Sequence, residues 1–163
     1  MNQRNIKTIQ RTSRLCLWGS VAVVILTVIF IYASRYRFYP SEHTSRWMLV
    51  AGSVLAVLAV SMTLLTVRRQ VPRLRQMEGL EQKLAGYASH VRSVFGTMLF
   101  VVVLLCAFTL FSARNVLLML AIVSVLVLFL NYPNIYRIKV DLGLTDDEMQ
   151  SLFGDRYIRE SEK

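Results

Sequence analysis

Four stretches of this chain carry no Asp, Glu, Lys or Arg: residues 15–34, 47–67, 93–113 and 115–136. Runs of that length limit the fold more than any motif does. Each approaches or exceeds the roughly 17–25 residues that cross a hydrocarbon core about 30 Å thick. Backbone groups that enter hydrocarbon must pair within their own segment, so each run is expected to be a helix. The alternative is a soluble core holding four buried helices. In 163 residues that leaves too little polar chain to wrap them. The chain is 55% hydrophobic and only 18% charged, against about 25% charged in soluble domains.

The first run, LCLWGSVAVVILTVIFIYA, follows a basic leader as a secretory signal would. It is longer than the roughly 7–15 residues of a signal core. Ile31 also stands two positions before Ala33, where cleavage needs a small residue. The run is therefore expected to stay as a span.

Orientation follows from Lys and Arg. The N-terminal arm, the segment between runs two and three, and the tail share one side if there are four spans. That side collects fifteen of the nineteen positive residues, and the other collects Arg35, Arg37, Arg46 and Arg114. Cytoplasmic loops carry the excess, so both termini are expected to be cytoplasmic, in an inner membrane of bacterial type. The same rule accounts for the net charge of +9 without nucleic acid. Tyr32, Tyr36, Phe38, Tyr39 and Trp47 on one side, and Trp18, Tyr132 and Tyr136 on the other, suit headgroup levels.

The fold expected is all-α and polytopic, with four transmembrane helices in two antiparallel hairpins. A basic arm (1–14) leads into span one (15–34), an outer loop (35–46) and span two (47–67). A cytoplasmic amphipathic segment (68–92) precedes span three (93–111). A tight outer loop (112–115), with Asn115 as the expected N-cap, leads to span four (116–132). The tail (133–163) holds an interfacial segment and a capped helix (145–153). Within 68–92, Pro72 is expected to end or kink the helix leaving span two. Met77, Leu80, Leu84, Tyr87 and Val91 then recur at helical spacing as one apolar stripe, continued by Val94 and Met98. One unbroken helix from about Arg73 into span three is expected, with Gly79 and Gly86 each costing about 1 kcal/mol. The stripe needs cover from the membrane, another helix of this chain or a partner. Arg73, Arg75, Lys83, Arg137 and Lys139 are candidate contacts to anionic headgroups.

In the tail, Pro133 suits the first turn of a new helix, and Gly143 a left-handed stop. Thr145 and Glu148 have the spacing of a capping box, and Leu144 and Met149 that of a hydrophobic staple. Asp146, Asp147 and Glu148 put negative charge at the positive helix end. Gly154 is the expected end. Leu144, Met149, Leu152 and Phe153 form an apolar side that something must cover. The stripe and this side together are the candidate interaction surface.

No catalytic, cofactor-binding or metal-binding pattern stands out. Asp146–Glu148 read as capping residues. His43 and His90 are expected on opposite sides of the membrane, where they cannot share a metal or haem. Cys16 and Cys106 are expected at depths that differ by about 15 Å at helical rise, too far for a disulfide. The spans offer only Ser and Thr, with Gly52 and Ala56 as a small pair that lets helices approach. The function expected is non-enzymatic: a scaffold or accessory subunit of a membrane complex, contacting the bilayer and a protein partner or a second copy of itself. The alternatives are an oligomeric transporter or channel for a neutral or lipid-like solute, and a lipid-acting enzyme built around the tail carboxylates.

Overall fold

A computed structural model describes residues 2–33, 41–77, 79–112 and 115–153. All its elements are α-helices: α1 (Asn2–Ala33), α2 (Glu42–Gln76), α3 (Leu80–Ser112), α4 (Asn115–Leu130), α5 (Ile135–Leu142) and α6 (Asp146–Phe153). Among the described residues there is no strand. Three helices are long and apolar enough to cross a membrane. The fourth, α4, has 16 residues, about 24 Å at helical rise, and is bent from α5 by 73°. Residues 34–40, Arg114, Gly154 and the tail beyond it lie outside the described residues.

α3 is the central helix. It is the main packing partner of α1, α2 and α4 alike. Its buried residues run from Leu84 through Met98 and Leu105 to Ser112. α1 packs on α3 rather than pairing with α2. The expected first hairpin is therefore not a packing unit. Eight residues separate Ala33 from Glu42 and do not force α1 and α2 together, whereas the two that separate α3 from α4 make those helices neighbours.

Small and back-bonded residues let these helices approach. On α1, Ser13, Ser20 and Thr27 stand seven apart and are buried. Each hydroxyl donates to the carbonyl four residues earlier, Ile9, Cys16 and Val23, at 2.8 Å. Such a hydroxyl has its partner before any neighbouring helix arrives, so burial leaves nothing unpaired. α2 presents Ser45, Gly52, Ala56, Ala59 and Thr63 as its buried face. Ser45 Oγ donates across to Ser112 O at 3.1 Å, tying the start of α2 to the end of α3. A Cβ on Gly52 would lie 2.6 Å from Leu117 Cδ2, and one on Gly86 2.6 Å from Leu74 Cδ2. These two glycines are notches that receive leucines. Away from these faces, α1, α2 and α4 expose large apolar side chains, among them Leu26, Phe30, Val57, Leu58 and Phe129.

The expected unbroken helix from about Arg73 into the third apolar run is absent. α2 continues through Pro72 to Gln76, and the chain breaks at Met77, which is extended. Gly79 takes φ +96°, a conformation that costs glycine little. Proline forfeits one backbone hydrogen bond inside a helix, and here that does not end it. The segment is the meeting of two long helices. Its apolar stripe is covered from within the chain: Leu84, Tyr87 and Val91 are buried, Leu80 is half-buried, and Met77, at the break, is exposed.

Replacing Gly52 or Gly86 with Leu is expected to lower the unfolding free energy in detergent by about 1–3 kcal/mol, the usual cost of overpacking. Gly96, where an added Cβ meets nothing within 4 Å, is expected to accept Leu with little change. Equal losses at all three positions would mean that the notches are not close contacts.

Candidate functional site at the basic end of the bundle

Where α4 ends, the chain leaves its hydrocarbon-like run at Asn131 and turns. Asn131 Nδ2 donates to Val127 O at 2.7 Å and holds the last turn. Asn134 then caps α5, its Oδ1 accepting from the Arg137 N–H at 2.7 Å. Pro133 lies just outside the helix rather than in its first turn. Gly143 ends α5 in the left-handed conformation, φ +61°, and its N–H donates back to the final turn. The expected capping box then opens α6: Glu148 N–H donates to Thr145 Oγ1 at 3.3 Å, and Thr145 N–H donates to Glu148 Oε2 at 2.9 Å. Leu144 and Met149 are both buried beneath it, as a staple requires.

α5 lies against α2, and α6 touches α1. Ile6 and Ile9 of α1 share one apolar cluster with Leu144, Met149 and Leu152 of the tail. Phe153 packs on that cluster, half-buried. The apolar side of the tail is thus covered by this chain.

The basic residues divide. Arg75 lies over Gly143 and donates from Nη2 to Val140 O at 2.7 Å and from Nε to Asp141 O at 3.2 Å, closing the C-terminal end of α5. A cation at unpaired helix carbonyls is favoured by charge as well as by hydrogen bonding. Arg137 donates to Leu130 O and Asn131 Oδ1, and its Nε stands 3.6 Å from Asp141 Oδ2. Lys139 pairs with Asp146. Arg73 is exposed and Lys83 half-buried. Three of the five expected headgroup cations are therefore engaged within the fold, as is the carboxylate at the head of α6.

These contacts enclose a cleft with about 20 Å³ of room for water-sized groups. Tyr87, His90, Asn131, Arg137 and Asp141 line its polar part, and Val67, Val91, Val94 and Phe95 its apolar part. Tyr87 OH donates to Asp141 Oδ2 at 3.0 Å, joining α3 to α5. The rings of Tyr87 and His90 stand 6.4 Å apart. His90 is 7% exposed, and its Nδ1 is buried without a hydrogen-bond partner. Both side chains precede Arg92 and so lie on the charged side of the third apolar run. Burial pushes the Tyr87 phenol up, and the Asp141 carboxylate adds to this by charge and hydrogen bond. Burial lowers the His90 imidazole below its ordinary value, with Asp141 opposing. His43 lies at the far end of the bundle, where its Nε2 accepts from Trp47 Nε1 at 3.1 Å.

His90, Asn131 and Asp141 did not stand out in the sequence as a group. The available signals were local: Tyr87 and His90 three apart on one helix face, and Arg137 and Asp141 four apart on another. Only the turn after α4 brings them together. Comparison with protein-family models, characterised proteins and solved structures finds no match.

Two substitutions test how this end is held. Arg75→Leu keeps much of the packing over Gly143 and removes both bonds to α5, and charged hydrogen bonds contribute about 1.5–3 kcal/mol. Amide exchange over 138–144 is expected to speed up, with residues 94–110 unchanged. Thr145→Ala is expected to cost about 1 kcal/mol as local fraying of 146–153. Unchanged exchange in either variant would show that the contact contributes nothing to order at this end.

Proposed function

We propose that the chain is a four-span inner-membrane protein with its basic end in the cytoplasm, acting as a scaffold or accessory subunit of a membrane complex. The observation that carries this reading is the construction of the tail. α5 and α6 are short, and helices of about two turns are not stable alone in water. Here each carries its own cap. Arg75, Tyr87 and the Lys139–Asp146 pair tie them to the bundle and to each other. An ordered platform beside spans free of Asp, Glu, Lys and Arg suits presentation to a partner better than it suits a reaction. Apart from Met77, the apolar residues of the stripe and of the tail's apolar side are buried or half-buried inside the chain. Recognition therefore falls to the outward residues, such as Tyr136, Val140, Asp147 and Gln150. The four-span reading takes α4 and its exit at Asn131 as the last crossing, and the excess of Lys and Arg at that end supports the orientation.

Affinity purification in mild detergent is expected to recover a reproducible partner, and recovery of a lone monomer would overturn the scaffold reading. Reporter fusions after residues 40 and 114 are expected to read extracytoplasmic, and those after 80 and 160 cytoplasmic. A cytoplasmic readout at 40 would break the four-span topology.

A further inference from the structure

Three groups of the cleft at the α3–α5 junction keep acceptor capacity beside the guanidinium of Arg137. Tyr87 uses its one proton on Asp141, leaving its oxygen able to accept. Asp141 meets Tyr87 and Arg137 with Oδ2, which leaves Oδ1 as an acceptor. His90 Nδ1 is buried and unpartnered. A buried nitrogen left unpaired is costly, so a group that satisfies it gains affinity. Neutral imidazole accepts at Nδ1 when its proton is on Nε2, and burial favours the neutral form. The complement of three such acceptors is a compact donor carrying positive charge. The room available, about 20 Å³, suits one group the size of a water molecule, which is also the size of an ammonium.

The rest of the lining says what that ammonium is attached to. Val67, Val94 and Phe95 belong to the apolar runs, whereas Tyr87 and Asp141 belong to the charged end. The cleft thus grades from apolar to polar along the helix axes, as an amphiphile does. Arg137, with a side chain 30% exposed, stands at its border and suits a phosphate.

We propose that this cleft binds the headgroup of an aminophospholipid. The primary ammonium donates to Asp141, Tyr87 and His90, the phosphate lies beside Arg137, and the chains run along Val67 and Phe95. The proposal rests on the membrane placement given above. It names a site and a ligand class that the scaffold reading does not contain.

The test uses the full chain purified in detergent, with thermal unfolding measured against added phosphatidylethanolamine, phosphatidylcholine and phosphatidylglycerol. The ethanolamine lipid is expected to raise the melting temperature in a saturable way. The choline lipid has no N–H to donate and is expected not to, and neither is the glycerol lipid. Free ethanolamine, lacking chains, is expected to give no shift at millimolar concentration. His90→Phe removes an unpartnered nitrogen and should melt no lower than the parent. Its apparent affinity for the ethanolamine lipid should fall by about three- to tenfold, the value of one hydrogen bond. Asp141→Asn should fall further. If Asp141→Asn does not fold, His90→Phe decides. Equal shifts with the ethanolamine and choline lipids, an equal response to free ethanolamine, or full affinity in His90→Phe would each overturn the proposal. None of these results would alter the topology, which the reporter fusions read separately.

Discussion

A polar group buried away from water must bring its partner with it, and the architecture of this protein follows from that requirement. The backbone meets it by being helical. The buried hydroxyls of α1 meet it by bonding to their own helix at Ile9, Cys16 and Val23. Thr109 and Ser124 do the same on α3 and α4. With those groups satisfied internally, the helices can be brought together by shape alone. The glycine notches on α2 and α3 then set how closely they approach.

The same requirement shapes the basic end. α4 stops after 16 residues, and Asn131 begins a turn whose carbonyls need donors. Arg137 supplies one for the Leu130 carbonyl and another for the Asn131 side-chain Oδ1. That places a guanidinium next to Asp141, which in turn holds Tyr87 of the central helix. Arg75 covers the far end of α5. Each contact satisfies a group that the turn itself created. The result is a tail held by polar links above an apolar cluster, with a cleft at the centre of the links.

The pattern of charge-free runs was enough to read the helical class of this protein. The capping box at Thr145, the staple at Leu144 and Met149, and the stop at Gly143 were also legible, because caps are local and the spacing that makes them is written in adjacent residues. The break between α2 and α3 was not. A stripe of period 3.6 continues across Met77 and Gly79, and periodicity does not register a single change of backbone angle. Pro72 does not end α2, since a lost hydrogen bond at an exposed helix position is tolerated. The cover of the stripe was equally invisible, because an apolar face reads the same whether lipid, partner or the same chain lies against it. The cleft depends on residues about fifty apart, His90 with Asp141, and nothing local joins them.

The link between Tyr87 and Asp141 joins the central helix to the segment that follows the last apolar run. A double-mutant cycle with Tyr87→Phe and Asp141→Ala, read as unfolding free energy in detergent, measures it directly. Residues in one hydrogen-bond network couple by about 0.5–3 kcal/mol, and a coupling in that range is predicted here. Losses that add to within about 0.3–0.5 kcal/mol would contradict it, and α5 would then not be held to the bundle in this way.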